Sequence, residues 1–221
     1  MTHYTPEQLA QFPWIVSADT LRPEDLLVKF WGAAETAAVL ADRPQLLNPE
    51  TLASLAKLVG EDSSENDWDD GEAAQTLQDL TLALEDAAPS GFYFTSHPGD
   101  GACFGFWLAD DWAACLEHCG FAADSDPAAL VPVISDLCAA GIDPDTYKDA
   151  YYGEAEGYTE DDAGADYAAQ LFEDSGIRES SYDGWPFRHI DWAAAWEDLR
   201  LSDGYILQRI NGAHWAVFRT V

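Results

Sequence analysis

The sequence predicts an α+β fold whose N-terminal and central parts are mostly helical, with small antiparallel sheets and a C-terminal β-hairpin. Three observations lead to this prediction. Apolar residues recur at steps of three and four over much of the first 90 residues, as on the buried face of a helix. Two aromatic runs flank a glycine-rich turn near residue 100. An Asn-Gly pair separates two apolar runs near the C-terminus.

The first predicted helices follow from capping residues and apolar spacing. A short helix begins after Thr5, which precedes a proline, and Asn48 caps another helix in the same way. Between them, residues 23–41 carry a helical apolar stripe. The acidic stretch from Gly60 to Gly71, rich in Ser, Asn and Gly, is predicted to be a loop, and residues 72–87 form the next helix.

The central part is predicted to contain two strands and two helices. The strands are the aromatic runs Phe92–Phe94 and Phe104–Leu108, which surround a turn. Helices follow at Asp110–His118 and at Pro127–Ala140, where apolar residues share one stripe.

The C-terminal part is predicted to contain two helices and a hairpin. The helices cover Glu160–Asp174 and Ile190–Leu201. The hairpin has Asn211-Gly212 as a type I′ turn, which requires positive φ at both residues. These features predict three domains: a helical one at 1–90, an α+β one at 91–150 and a C-terminal one at 151–221.

The acidic residues are concentrated in the middle of the chain. Between Leu58 and Ile177 there are 28 Asp or Glu side chains and one base, Lys148, a formal charge of −27 out of −31 in total. A surface selected for solubility mixes both signs, because like charges on a compact body repel each other. At one phosphate per about 1.7 Å of duplex, 28 carboxylates match roughly 14 base pairs of DNA. We therefore expect a continuous negative surface, with the C-terminal hairpin outside it.

The composition disfavours a membrane protein and a nucleic-acid-binding protein. The longest uncharged apolar run, around Ala128 to Ile134, is too short to span a bilayer, and residues 1–13 lack the features of a signal peptide. We expect a soluble, cytoplasmic protein whose charge repels nucleic acid and anionic lipid. A partner bound through charge should therefore be basic.

The cysteines predict reduced core thiols and no metal site. Cys103, Cys115, Cys119 and Cys138 contain no CxxC pair. Cys115 and Cys119 lie one helical turn apart with His118 beside them, but a metal site would need further ligands.

Other patterns typical of cofactor sites or catalysis are also missing. If Gly71 took position 6 of a calcium loop, Trp68 and Leu77 would occupy positions that need oxygen ligands. The glycines near residue 100 precede no helix, so they form no dinucleotide fingerprint. The five histidines are scattered, and we predict no catalytic residue and no cofactor.

Five short segments carry a resemblance to a known family: Tyr151–Glu154, Asp166–Gly176, Arg188–Trp192, Asp198-Leu199 and Ala216–Arg219. In residues, order and approximate spacing they resemble the C-terminal part of ArdA-type antirestriction proteins, which mobile genetic elements and phages carry. A weaker similarity begins near Pro127, so the resemblance covers about residues 127–221. This chain has no counterpart of the short strand-rich opening usual in ArdA, because Met1 to about Ala88 is predicted to be largely helical.

The resemblance implies an elongated, often dimeric DNA mimic that occupies the DNA-binding groove of type I restriction-modification enzymes without chemistry. It also implies that Asp161, Asp162, Asp166, Glu173 and Asp174 replace DNA phosphates. Asp162, Asp166 and Glu173 share one helix face, with axial separations of roughly 6 and 10 Å. The charge pattern adds further candidate phosphate mimics: Glu61, Asp62, Asp67, Asp69, Asp70, Glu154, Glu156 and Glu160.

A homodimer contact is predicted in the nearly neutral C-terminal segment, through Trp215, Val217 and Phe218. Two strongly anionic bodies can associate only where charge is low and apolar area is available.

The function predicted is non-enzymatic inhibition of a DNA-binding defence enzyme, by competition with DNA. Two alternatives from other classes stay open. One is an enzyme with a halophile-type acidic surface and a pocket near His97 or Cys103. The other is an acidic chaperone for a basic nucleic-acid-binding protein. The sequence does not choose among type I restriction enzymes, CRISPR effectors and other targets.

Overall fold

A computed structural model of the chain describes residues 4–18, 20–59, 71–122, 125–175 and 189–220. The predicted α+β class is confirmed, because the described residues form nine α-helices and two antiparallel three-stranded sheets. The chain divides into two compact units, whereas three domains were predicted. The first unit is Met1–Ala109 with Pro127–Pro132, and the second is Asp110–Asp126 with Val133–Val221.

The helices of the first unit lie where the sequence predicts them. They are α1 (Pro6–Leu9), α2 (Pro23–Leu40), α3 (Pro49–Leu58) and α4 (Gly71–Ala87). Both predicted caps are present: Thr5 Oγ1 accepts the amide of Gln8 at 3.3 Å, and Asn48 Oδ1 accepts the amide of Thr51 at 2.7 Å. A short 3-10 turn at Pro44–Leu46 connects α2 to α3.

The sheet of the first unit contains one strand that the sequence did not predict. Its strands are β1 (Ile15–Ser17), β2 (Phe92–His97) and β3 (Asp100–Leu108), in the order β1-β3-β2. Because β1 pairs with β3, the predicted domain boundary after residue 90 is wrong. Phe30 of α2 packs on Phe94, with ring centroids 5.1 Å apart, so helices and sheet share one core.

The second unit contains four complete helices and part of a fifth. They are α5 (Asp110–His118), the part of α6 (Pro127–Ala139) from Val133 onward, α7 (Tyr147–Ala150), α8 (Glu160–Asp174) and α9 (Trp192–Asp203). The predicted bounds of α5 and α8 are confirmed. Helix α9 begins two residues later than predicted because Asp191 is its N-cap and accepts the amide of Ala194 at 3.1 Å.

The sheet of the second unit has β6 as its central strand. Its strands are β4 (Tyr151–Glu156), β5 (Tyr205–Asn211) and β6 (His214–Arg219), in the order β4-β6-β5. Strand β4 was not predicted, and its pairing covers the second edge of β6. The side chains of Trp215, Val217 and Phe218 are buried, with 8%, 0% and 0% exposure, and Trp215 and Val217 belong to the core that the sheet shares with α8 and α9. The prediction that these three residues form a dimer contact is therefore wrong.

The C-terminal hairpin is confirmed, but its turn differs from the prediction. Asn211 pairs with His214, so the two loop residues are Gly212 and Ala213. Only Gly212 has positive φ, at +39°, and a type I′ turn needs positive φ at both central residues. The turn is therefore displaced by one residue from Asn211-Gly212, and glycine takes its first central position.

Helices α8 and α9 approach each other closely at Gly164. A Cβ atom at this position would lie 2.3 Å from Cδ1 of Trp196, which is buried between the helices and the sheet. The contact tolerates no side chain, because a packed core relaxes only partly around an added methyl group.

Gly164→Ala is therefore expected to destabilise the fold by about 1 to 3 kcal/mol. The matched control is Gly32→Ala in α2, where a Cβ meets nothing within 4 Å. That control should raise stability by about 0.5 to 1 kcal/mol, since alanine lowers the backbone entropy of the unfolded chain. Urea unfolding followed by circular dichroism measures both changes. Equal stability of the two variants would contradict this close packing of Gly164 against Trp196.

Candidate partner-binding surface

Eight of the predicted phosphate mimics lie on β4 and α8 of the second unit. They are Glu154 and Glu156 on β4, and Glu160, Asp161, Asp162, Asp166, Glu173 and Asp174 on α8. All are exposed except Asp166, which is half-buried. The other five, Glu61, Asp62, Asp67, Asp69 and Asp70, lie outside the described residues.

These eight carboxylates lack basic partners in the part of the chain that the structure describes. None lies within 4.0 Å of a Lys or Arg nitrogen. Among the described residues the nearest positively chargeable group is His214, whose Nδ1 lies 3.9 Å from Oε1 of Glu156. Glu160 and Asp161 are close enough to Arg200 for their charges to contribute to its raised pKa, but they form no direct ion pair with it. The described bases therefore leave these eight carboxylates without a direct ion pair to Lys or Arg.

Two arginines of this unit are instead held at the hairpin. Arg209 donates from Nε to the carbonyl of Gly212 at 3.0 Å and lies over the ring of Trp215, 5.3 Å from its centroid. Arg219 pairs with Asp203 at 3.3 Å. Its guanidinium also stacks on tyrosine rings of β4 and β5.

The remaining bases described in this unit also have partners outside the eight carboxylates. Arg200 pairs with Glu197 one helical turn away at 2.8 Å, and the resulting hydrogen bond lowers the pKa of Glu197. Lys148 lies over the ring of Tyr147, 5.8 Å from its centroid.

The fold itself explains the acids in the first turn of α8. Asp162 forms a capping box with Thr159: Thr159 Oγ1 accepts the amide of Asp162 at 3.1 Å, and Asp162 Oδ2 accepts the amide of Thr159 at 3.3 Å. Glu160 and Asp161 lie beside the positive end of the helix dipole, where carboxylates are stabilising. These three residues would be favourable without any partner.

Asp166 also has a role in the fold. Its Oδ2 accepts the backbone amide of Glu156 at 3.0 Å and the side-chain amide of Gln170 at 2.6 Å. The first of these hydrogen bonds joins α8 to β4. The predicted helix face of Asp162, Asp166 and Glu173 therefore includes two carboxylates that the fold already uses.

Glu173 and Asp174 have no such explanation. Both are exposed in the last turn of α8, where the helix dipole is negative and no basic residue is present. A carboxylate there costs about 0.3 to 1 kcal/mol. They are the acids of α8 that most clearly act against stability.

The acids of β4 lie beside the hairpin. Glu154 is in register with Ala216 of β6, and Glu156 with His214, while Ala155 between them is buried. The prediction that the hairpin lies outside the acidic surface is therefore wrong for β4. The reason is that residues 151–156 form a strand, which local sequence patterns do not indicate.

A group of aromatic, thiol and imidazole side chains surrounds the start of β4. The ring of His118 contacts those of Tyr147 and Tyr151, with centroids 5.6 and 5.5 Å apart. Cys115 and Cys119 are buried and reduced, and their mutual hydrogen bond, with burial, raises the pKa of Cys119. Across the described ranges no group of three or more His, Cys, Asp or Glu could hold a metal ion.

His97, considered in the enzyme alternative, has contacts typical of a turn residue. Its Nδ1 accepts the amide of Gly99 at 3.1 Å, and its ring packs on Trp107 with a centroid distance of 4.7 Å. These contacts stabilise the turn between β2 and β3.

No protein-family model matches the chain, and neither curated proteins nor solved structures include a match to it. Among the described helices, none has the length and apolar content needed to cross a membrane. The resemblance to ArdA-type proteins therefore stays a prediction.

Removal of carboxylates from the two ends of α8 should change the free energy of unfolding in opposite directions. Glu173→Gln combined with Asp174→Asn should raise the free energy of unfolding by about 0.5 to 1 kcal/mol, because it removes charge from the negative end of the dipole. The matched pair Glu160→Gln and Asp161→Asn should lower it by a similar amount. Both variants change the net charge by two. A stabilisation of equal size in both, measured by urea unfolding, would indicate general charge repulsion instead.

Tyr151 generates a prediction about alkaline stability. Burial, followed by the negative charge of Glu154, raises its pKa from 10.0 to about 12. A raised pKa means that folding favours the neutral phenol. This contribution to stability is complete below pH 10, the pKa of an unfolded tyrosine, and is lost as pH rises towards 12. Tyr151→Phe keeps the ring contacts, so it should lose less stability than the wild type between pH 10 and 12. Identical pH dependence of unfolding in both proteins would contradict this assignment.

Proposed function

We propose that this protein is a non-enzymatic DNA mimic that inhibits a DNA-binding defence enzyme, with a type I restriction-modification enzyme as its target. The observation that carries the proposal is the set of carboxylates on β4 and α8 with which no described Lys or Arg forms an ion pair. Glu173 and Asp174 are the strongest members, because their position opposes helix stability. The resemblance to ArdA-type proteins supports the choice of target.

The mechanism is competition for a basic DNA-binding groove. The carboxylates of α8 and β4 are held on regular elements, which the hydrogen bond from the amide of Glu156 to Asp166 joins. Lys and Arg side chains that normally contact phosphates would pair with them. Phosphate contacts carry no base sequence, so a mimic of the backbone needs no sequence code. Each exposed ion pair contributes only about 0 to 1 kcal/mol, so affinity must come from many pairs together.

An acidic chaperone is the alternative that shares these electrostatics. It would differ in its partner, a basic nucleic-acid-binding protein, and would not compete with DNA for a restriction enzyme. The enzyme alternative gains no support from His97, whose contacts are those of a turn residue. A homodimer stays a prediction, and its contact would have to use side chains other than the buried ones of β6.

Neutralisation of five exposed carboxylates tests the proposal. The variant combines Glu156→Gln, Glu160→Gln, Asp161→Asn, Glu173→Gln and Asp174→Asn, which leaves Asp162 and Asp166 to support the fold. In a cleavage assay with a type I restriction enzyme and DNA, inhibition by the wild type should be competitive with DNA and should weaken steeply as salt rises. The variant with all five substitutions should inhibit at least about a hundred times more weakly than the wild type. Each single substitution should weaken inhibition by a factor of about five or less.

The matched control removes the same number of charges from the first unit. It combines Glu7→Gln, Asp42→Asn, Glu50→Gln, Glu85→Gln and Asp100→Asn, all of which are exposed. This control should retain most of the inhibition. An equal loss of inhibition in both five-substitution variants would favour a non-specific effect of net charge. A complete loss from one single change would point to an active site, because removal of a catalytic group costs orders of magnitude in rate.

A further inference from the structure

An apolar groove lies between α2 and α3 in the first unit, whereas the candidate carboxylates are on elements of the second unit. Its volume is about 350 Å³. The residues that line it are Val28 and Trp31 of α2, with Leu52, Leu55, Ala56 and Val59 at α3 and its C-terminal end. No polar side chain is among them.

Three of these apolar side chains are unusually exposed for their type. Val28 is 51% exposed, Val59 43% and Leu52 36%, although the same helices bury other apolar residues in the core. Single exposed apolar residues are common, but a concave group of them is typical of a binding site. The helical register explains their alignment, because Leu52, Leu55, Ala56 and Val59 recur at steps of three and four.

On α2, one carboxylate precedes and one follows the two residues that line the groove. Glu24, Val28, Trp31 and Glu35 follow one another at steps of four, three and four, so they lie on one helix face. Glu24 already pairs with Arg22, which shows that a carboxylate here can hold an arginine. Glu35 is exposed and forms no ion pair with a described residue.

The basic side chains of these two helices are directed to other contacts. Lys29 donates from Nζ to Ser17 Oγ at 3.3 Å, and Lys57 pairs with Glu72 of α4. An occupant of the groove would therefore meet apolar side chains in the centre and beside them the carboxylate of Glu35, which pairs with no described base, in a chain whose net charge is −31.

We propose that this groove binds a basic amphipathic helix of a partner protein. Apolar side chains at positions i, i+3 or i+4 and i+7 of such a helix span about 10 Å, which matches the seven-residue step from Leu52 to Val59. Lys or Arg beside these apolar side chains would meet the exposed carboxylate of Glu35. This binding is separate from the proposed competition with DNA, which uses carboxylates of the second unit.

A second copy of this chain fits the groove less well. Each copy carries a net charge of −31, so two copies repel each other, whereas a basic helix is attracted. A stable dimer also buries about 800 Å² on each partner, and a groove of 350 Å³ holds only the few side chains that one helix face presents.

The experiment uses the full chain and two fluorescent peptides of identical Leu and Lys composition. One peptide places its leucines on a single helix face, and the other has them scrambled. Fluorescence anisotropy at physiological salt should show at least about tenfold tighter binding of the amphipathic peptide, because only its leucines can enter the groove together. Equal affinity for both peptides, or no binding of either, would overturn the proposal.

Two variants test whether the peptide binds in the groove, because the direction of the change in peptide affinity depends on where it binds. Val28→Glu and Leu52→Glu each add a negative charge, which by itself would strengthen the binding of a basic peptide. If the leucines occupy the groove, each variant should instead weaken binding by about tenfold or more, since a carboxylate would be desolvated. The matched control is Leu82→Glu on α4, where the side chain is 54% exposed and does not line the groove. Its affinity for the peptide should be unchanged or slightly higher.

Two further measurements make the outcome decisive. Circular dichroism establishes that all variants are folded, and inhibition of the restriction enzyme by Val28→Glu should equal that of the wild type. Binding that Val28→Glu strengthens would place the peptide on the general acidic surface and overturn the proposal. Sedimentation that shows a dimer in the wild type and a monomer in Val28→Glu would make the groove a self-contact, and would overturn it as well.

Discussion

Repulsion between like charges is the physical constraint on which the rest of this structure depends. A chain with net charge −31 folds only if its carboxylates stay in water and its apolar side chains supply the driving force. Both requirements are met in the described part of the chain, where the only buried polar residues are Ser17, Thr51, Thr76 and Ser90. Aromatic and aliphatic cores in each unit therefore oppose a repulsion that remains at the surface.

The charged residues of the second unit fall into two groups. Some support the fold, and others are available to a partner. Helix-capping geometry holds the acids at the start of α8, and Asp166 joins that helix to β4. Arg209 and Arg219 are fixed by carbonyl and ring contacts in the hairpin, so they do not neutralise the acidic side chains. Glu173 and Asp174 are left at the unfavourable end of the dipole. A fold under selection for stability alone would place basic residues there.

The helices could be predicted closely from sequence because capping and apolar spacing are local. Thr5 and Asn48 are caps at the predicted positions, and α8 has the predicted bounds. Strand β1 has only three residues, too few for an alternating pattern, and its pairing with β3 spans about 90 positions. The role of Asp166 depends on the backbone of Glu156, which is brought near only when β4 forms. The central place of β6 in its sheet has the same origin, because its second edge pairs with a strand that local patterns did not indicate.

The two surfaces of this protein would recognise partners through forces of different range. Carboxylates act over about a Debye length, roughly 8 Å at physiological salt, and their effects accumulate, so the acidic surface favours fast association with any basic groove. The groove between α2 and α3 acts only at contact and depends on the shape of what enters it. Long-range attraction alone discriminates poorly among basic partners, since it reads charge and not shape. A short-range apolar site adds that discrimination at little cost in charge, because its lining residues are neutral. Selection for one particular basic target would therefore act most strongly on the neutral residues that line this groove.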